Sequence, residues 1–333
     1  MRALVTGAAG FLGRVITEQL LAAGHEVGVL VRREVPELEA LGAFVVKADL
    51  RDRESVLAAC AGFDTVFHVA AKAGIWGPYS EYHEANVLGT RNILHGCRRH
   101  GVKRLIYTSS PSVTFSGKPT AGIDESYPYP KKFLNAYSAT KAEAEKMVLA
   151  ADGKDGLQTV ALRPHIIWGP RDSHIIPRLL EAAGRGRLVR VGSGENLVDI
   201  TYVDNAAQAH LLAAERLDQA HGRAFFISQG EPVNLWAWVN QLLTRLDQPP
   251  VHRSLSLPVA RLLGALLEKI YLFFRLPGEP RMTRFLAAQL GTSHYYDISA
   301  ARELLGYRPT VSTAEGVDRL VAWLKASRRA SHD

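Results

Sequence analysis

The sequence predicts an α/β fold: a doubly wound parallel sheet followed by a smaller C-terminal unit. Three observations carry this reading. Short apolar runs alternate with helical stretches through the first half of the chain. A Gly-rich turn joins the first run to the first helix. After about residue 164 the alternation gives way to short mixed segments punctuated by Gly and Pro. With 333 residues, 47% hydrophobic and 22% charged, the chain can bury a large core and has an ordinary globular balance.

Taken in order, residues 3–6 form a buried strand and residues 11–23 a helix that Gly24 ends. Further strands are expected at 27–31, 44–48, 65–69, 105–109 and 159–163, with helices such as 55–61 and 85–100 between them. Strands at 188–191 and 224–228 follow the change of pattern. We therefore divide the chain into a unit at 1–164, to which later segments return, and a unit at 165–330.

The segment 258–276 is rich in Leu and carries Ile270, Tyr271, Phe273 and Phe274. Arg261, Glu268, Lys269 and Arg275 argue against a membrane-spanning helix. Arg261, Glu268 and Arg275 recur every seven residues and share one helical face. Such a helix is buried, forms a lid over an apolar substrate, or lies on a membrane surface.

The formal charge is +7, but the basic residues are scattered without a long run. We read them as a solvated surface and expect no nucleic-acid partner. Cys60 and Cys97 match neither a metal spacing nor a disulfide framework, so no metal site is expected. With no signal peptide before the first strand, a reducing, cytoplasmic setting is expected, with membrane-peripheral placement as the alternative that 258–276 leaves open.

Thr6-Gly7-Ala8-Ala9-Gly10-Phe11-Leu12-Gly13 lies between the first strand and first helix. Gly7 permits the turn, Gly10 lets the backbone approach a pyrophosphate, and Gly13 lets helix and strand pack closely. The helix N-terminus, at Phe11 and Leu12, presents free N–H groups to the phosphates. The second strand ends in Arg32 and Arg33, where an NAD-specific site places an acid for the ribose hydroxyl. A guanidinium suits a 2′-phosphate, so NADP(H) is the expected cofactor, with NAD(H) as the alternative. Asp49, followed by Leu50, is a candidate for the adenine amino group.

Tyr137 and Lys141 stand four apart on a helix, where i and i+4 share a face. A nearby ammonium and an oxidised nicotinamide are expected to lower the phenol's pKa into a useful range. Ser110 at the end of the fifth strand, with Ser109 as runner-up, is placed to hydrogen-bond a substrate oxygen. Asn86 falls within a helical segment, and it either serves a structural role or holds a water that connects Lys141 to solvent.

Together these motifs, with Arg163-Pro164, closely resemble the extended short-chain dehydrogenase/reductase family. The resemblance implies a Rossmann domain, a smaller C-terminal substrate domain, a homodimer, and a catalytic Ser110, Tyr137 and Lys141 with a supporting Asn86. It also places Ala70, Ala71, Pro164 and Ile167 around the cofactor, with Tyr137 and Lys141 contacting it as well. Ser109-Ser110-Pro111-Ser112-Val113, the run from Arg163 to Asp172 and Gly194-Glu195-Asn196-Leu197-Val198-Asp199 are similar to the 3β-hydroxysteroid dehydrogenase branch. Within it the sequence is similar to two groups: the 2-alkyl-3-oxoalkanoate reductases of bacterial olefin biosynthesis, which the tail from Arg275 to Ile298 resembles more, and the sterol-4α-carboxylate 3-dehydrogenases.

Both groups imply a reversible alcohol–ketone interconversion beside a carboxylate-bearing carbon, on a lipophilic small molecule. Contact with pathway enzymes is a further implication. The carboxylate needs a cation, for which Arg171 is the first candidate and His165 and His174 are alternatives. Sugar-nucleotide epimerases and dehydratases share the N-terminal motifs, but the Leu- and Phe-rich segment argues against them. A non-catalytic NADP(H)-sensing scaffold is disfavoured by the complete Ser, Tyr and Lys set.

Overall fold

A computed structural model describes residues 1–330. Seven parallel strands form the central sheet: β1 (Arg2–Thr6), β2 (Glu26–Val31), β3 (Phe44–Lys47), β4 (Thr65–His68), β5 (Arg104–Thr108), β6 (Gln158–Pro164) and β7 (Arg223–Ile227). Their spatial order is β7-β6-β5-β4-β1-β2-β3. β1 pairs with β2 (Ala3 opposite Val27) and with β4 (Ala3 opposite Thr65). Parallel neighbours require crossover connections, and the helices supplying them cover both faces of the sheet. That coverage is why the strands read as continuous apolar runs. The strand order reverses between β1 and β4, which opens a crevice at their carboxyl ends, the usual ligand position in such sheets.

One face is covered by the helix Phe11–Ala22, through Val15, Ile16 and Leu20, and by the later helix Val203–Glu215, through Val203, Ala206, Ala207, Ala209 and Ala213. Gln19 of the first helix also donates to the Asp204 carbonyl (3.1 Å). The other face is covered by Arg53–Ala59, Gly89–His100 and Ala136–Ala150. Cys60 and Cys97 are both free and buried in this second core. A Cβ on Gly96 would lie 2.6 Å from the Cys60 Sγ, so the two helices approach closely only because Gly96 has none.

The smaller lobe carries a four-stranded sheet in the order Val233–Asn234, Leu197–Val198, His294–Tyr296, Thr120–Ile123. Its core gathers Trp168, Tyr202, Trp236, Trp238 and Leu242. The chain crosses between lobes more than once. Thr120–Ile123 leaves the first half to join the small sheet, while Val203–Glu215 and β7 return to the large one. The expected strand at 188–191 is reduced to Arg190–Val191. The expected helix at 85–100 is a π-helical stretch, His83–Leu88, running into Gly89–His100.

The segment at 258–276 forms the helix Leu257–Phe274, which stops where Arg275 turns left-handed (φ 49°). It is not a buried helix: Leu262 and Phe273 are 72% and 82% exposed. Of the charged residues expected to share a face, Arg261 and Glu268 turn toward the protein, while Arg275 is exposed at the helix end. Arg261 donates to the Gly117 carbonyl (2.6 Å), and buried Glu268 accepts from the Arg284 backbone N–H (2.7 Å) and Nε (2.6 Å). Among the described residues no helix is long and apolar enough to cross a membrane.

Candidate active site

The carboxyl end of β1 opens into the glycine turn. Gly7 has φ 74°, and a Cβ there would lie 2.8 Å from the Ala70 backbone. A Cβ on Gly13 would lie 2.2 Å from the Gly7 carbonyl oxygen. Both glycines are therefore required by packing within the chain. Gly10 is different. Its imaginary Cβ meets only the Gly7 oxygen, at 3.1 Å, and otherwise looks out of the turn. No side chain caps the helix that begins at Phe11. The Arg14 N–H donates to the Gly10 carbonyl (3.1 Å), which leaves the N–H groups of Phe11, Leu12 and Gly13 for an anionic ligand. This turn fits a dinucleotide pyrophosphate.

Arg32 and Arg33 are exposed just beyond β2, and among the described residues neither is in an ion pair, because Glu34 pairs with Lys47 (2.9 Å). Asp49 receives three bonds from Arg51: Nη2 (2.7 Å), Nε (3.1 Å) and backbone N–H (3.0 Å). The Arg51 side chain, with a smaller contribution from Arg32, holds its carboxyl down at about 2. Leu50 is half-buried, its Cβ against Gly89, and Ala70 is half-buried with its N–H donating to Thr6 Oγ1 (3.1 Å). Ala71 is exposed, Pro164 ends β6, and Ile167 pairs with Thr201.

Tyr137 lies in the first turn of Ala136–Ala150, a helix capped by Asn135 (Ser138 N–H to Oδ1, 2.8 Å). Ser110 caps the single turn Pro111–Thr114: its Oγ accepts the Ser112 N–H (3.2 Å), and it acts on the Tyr137 phenol to lower its pKa. Ser109 is directed elsewhere. Its N–H donates to the Leu162 carbonyl (2.6 Å), and its buried hydroxyl has no partner among the described residues. Lys141 is buried, donates to the Thr108 carbonyl (2.6 Å) and lies 4.1 Å over the Tyr107 ring.

The expected lowering of the Tyr137 phenol is not what the resting chain does. Desolvation pushes it above its usual value, and Ser110 opposes this. Burial instead brings the Lys141 ammonium down to about 7, with Glu145 pulling it upward. A neutral phenol beside a substrate oxygen is a proton donor, which is the state that reduction needs.

Asn86 sits in the π-helical stretch, a feature frequent at functional sites. Its Oδ1 accepts the Lys72 N–H (2.7 Å), while its Nδ2 donates to the Lys72 carbonyl (3.1 Å) and to Thr140 Oγ1 (3.1 Å). Its side chain thus clamps the loop after β4 to the helix that carries Tyr137.

A second buried chain runs from the phosphate turn to the same place. Thr6 Oγ1 accepts the Val69 and Ala70 N–H groups (both 3.1 Å) and sits 2.8 Å from His68 Nδ1. His68 Nε2 is 3.0 Å from Thr90 Oγ1, which donates to the Asn86 carbonyl (2.6 Å). The Thr90 proton is committed, so Nε2–H donates to Thr90 and Nδ1 accepts from Thr6; the partners assign this tautomer. Burial, then the Lys141 charge, depress the His68 pKa to about 3, so the ring is neutral at physiological pH.

The proposed carboxylate cations do not gather here. Arg171 is bound through both terminal nitrogens to Glu18 (2.7 and 2.8 Å) of the first helix, a carboxylate it shares with Arg14. His165 is buried edge-on against His294 and Tyr296, and desolvation keeps it neutral. His174 is exposed at the start of Ile175–Gly184. An apolar group does lie beside the site: Phe115, Phe285 and Ala288, with Ile75 and Leu134 against them. Phe115 follows the turn capped by Ser110, and Leu134 precedes the cap of the Tyr137 helix.

Sequence reasoning missed Glu145, which continues the stripe Tyr137, Lys141 at the same four-residue spacing. It binds Arg163 through Nη2 (2.6 Å) and Nε (3.0 Å), and the Tyr129 hydroxyl (2.5 Å). It also missed His68 and the Thr108 carbonyl; the latter has no side-chain signature.

The profile of the 3-beta hydroxysteroid dehydrogenase/isomerase family matches residues 4–259. A protein of Stenotrophomonas maltophilia named 2-alkyl-3-oxoalkanoate reductase is 49% identical, over 97% of this chain and 99% of that one. A protein of the same name from Shewanella oneidensis is 47% identical, over 97% and 86%. A Mus musculus sterol-4-alpha-carboxylate 3-dehydrogenase, decarboxylating, is 37% identical, over 95% and 89%. Among solved structures, gox2253 is 28% identical with TM-score 0.79, covering 98% of each chain. MoeE5 in complex with UDP-glucose and NAD is 27% identical with TM-score 0.76, covering 98% of this chain and 100% of that one.

Proposed function

The chain belongs to the 3-beta hydroxysteroid dehydrogenase/isomerase family and is an NAD(P)-dependent oxidoreductase, and from that premise we propose that it reduces a 2-alkyl-3-oxoalkanoate to the 2-alkyl-3-hydroxyalkanoate with NADPH. The observation that carries this reading is Tyr137 one helical turn from buried Lys141, with Ser110 lowering the phenol's pKa, in a chain nearly half identical to two reductases of that name. A bound nicotinamide supplies the hydride, or takes it in the reverse direction. The chain's own residues do the rest. Ser110 orients the substrate oxygen, Tyr137 gives it the proton, and Lys141 sets the charge beneath the phenol. Asn86 holds the loop and the helix in register.

NADPH is favoured by Arg32 and Arg33, which form no close ion pair among the described residues and stand where an NAD site carries an acid. Sterol-4α-carboxylate oxidation is the second reading, favoured by the 37% identity to the murine enzyme. The test is a panel of 2-alkyl-3-oxo acids, 3β-hydroxysteroid carboxylates and UDP-sugars with each cofactor. NADPH-dependent turnover of the oxo acids is expected. Turnover of the sugars alone would overturn the proposal.

A further inference from the structure

We propose that Arg178 is the cation that receives the substrate's carboxylate, and that Glu279 holds its place on that guanidinium until the substrate arrives. The assignment rests on the proposed function, which puts a carboxylate beside the ketone. Arg178 lies on the helix Ile175–Gly184, and its Nη1 donates to Glu279 Oε2 (3.0 Å), 101 positions later in the chain. Among the described residues Glu279 is its one ion-pair partner. The pair lies beside the reacting groups, and Gly74 in the loop after β4 marks the place. A Cβ there would lie 2.6 Å from the Tyr82 hydroxyl and 3.5 Å from Glu279 Oε1, at φ 141°. The next residue, Ile75, packs with Phe115 and Leu134, which flank the Ser110 turn and the Tyr137 helix. The Tyr82 hydroxyl donates to the Trp76 carbonyl (2.8 Å) in the same loop. Burial, then the Glu279 and Glu81 charges and the Tyr137 phenol, raise the pKa of that hydroxyl, and Arg178 opposes them. One buried hydroxyl thus feels both the ion pair and the phenol that delivers the proton.

Other cations are committed elsewhere. Lys141 donates to the Thr108 carbonyl, Arg163 is buried against Glu145, and Arg171 forks onto Glu18. Lys72 is the rival: it pairs with Glu81 and stands 5.3 Å over the Tyr82 ring. Its ammonium lacks the planar fork that meets both oxygens of a carboxylate. Arg178 meets Glu279 through one nitrogen, and its side chain is 58% exposed against 33% for Glu279. A single-bond pair open to water is weak and exchanges readily. Replacing one carboxylate by another leaves the guanidinium paired throughout. Pro277 and Pro280 restrict the backbone on both sides of Glu279, so little freedom is lost in holding it there.

The experiment measures binding and turnover side by side in the NADPH-loaded chain. Binding is read by calorimetric titration with the 2-alkyl-3-hydroxy acid, which cannot react with NADPH. Turnover is read with the 2-alkyl-3-oxo acid and with its methyl ester. Arg178→Ala should weaken hydroxy-acid binding and raise the KM of the oxo acid by about 10–100-fold, the worth of hydrogen bonds to a charged group, with a much smaller effect on kcat. The ester offers no charge and should lose far less. Arg178→Lys should recover part of the loss. Glu279→Gln should tighten hydroxy-acid binding about two- to fivefold, because the competing carboxylate is gone. Equal losses for acid and ester in Arg178→Ala would overturn the assignment while leaving the reductase reading in place. So would a loss that appears in Lys72→Ala and not in Arg178→Ala. Hydroxy-acid binding that depends on Arg178, without turnover of the oxo acid, would support the assignment and overturn the reading. A wild type that binds no hydroxy acid would overturn both.

Discussion

Replacing Glu145 with Gln is the perturbation whose outcome the structure defines most sharply. Glu145 and Arg163 are 0% and 2% exposed and meet through two bonds, with the Tyr129 hydroxyl on the same carboxylate. Glu145→Gln leaves the guanidinium buried without a counter-charge, a loss of about 3–5 kcal/mol. At about 2.1 cal/mol/K per residue, a chain of 333 residues unfolds with an entropy of about 0.7 kcal/mol/K. The melting temperature should therefore fall by about 4–7 °C in differential scanning calorimetry. Combining Glu145→Met with Arg163→Met removes both charges and should recover most of that loss, because apolar replacement of a whole buried pair is close to neutral. Glu145 also pulls the Lys141 ammonium upward, so Lys141 in Glu145→Gln should titrate below its wild-type position near 7. A melting temperature within about 1 °C of wild type, or a double variant much worse than the single, would refute this account of the pair.

Tyr137→Phe should lower turnover by about 10²–10⁴-fold, a far larger loss than any in cofactor binding, as measured by stopped-flow absorbance and cofactor titration. Gly10→Ala should weaken cofactor binding and leave the melting temperature unchanged, whereas Gly13→Ala should lower the melting temperature, since only the second Cβ collides with the chain's own backbone. Arg32→Ala with Arg33→Ala should move the NADPH-to-NADH ratio of kcat/KM toward NADH; an unchanged ratio would remove these residues from cofactor choice. Lys141 titrates at about 7 in the fold against an ordinary 10.5. Between about pH 7 and 10 the unfolded chain therefore holds a proton that the folded chain has released, and stability rises with pH by up to about 4 kcal/mol. Denaturant melts of the cofactor-free chain should show that rise, and Lys141→Met should flatten it.

The large sheet was legible in the sequence because strands buried on both faces are continuous apolar runs, and the observed strands start and stop within a residue or two of the expected ones. The two-residue strands of the small sheet were not, since Leu197–Val198 and Val233–Asn234 are too short to show a period. Among site residues, the sequence singled out Ser110, Tyr137 and Lys141, which the fold brings together. It misjudged Arg171, whose partner Glu18 lies 153 positions away. It also found the charged face of 258–276 without its sense. Periodicity fixes which residues share a face but not whether that face looks inward, and here the inward choice depends on Arg284 meeting Glu268.

The return of Val203–Glu215 and β7 to the first sheet has a consequence for how the molecule is made. Val15, Ile16 and Leu20 of the first helix share one core with Val203, Ala206 and Ala213, so residues synthesised at the start wait for residues synthesised much later. A nascent chain halted near residue 164 would hold the glycine turn and the Ser110, Tyr137 and Lys141 set, yet leave the part of its sheet that Val203–Glu215 covers bare to water. Completion of the dinucleotide lobe is thus a late event in synthesis. Until β7 adds to β6, the edge of that sheet is open to pairing with other chains.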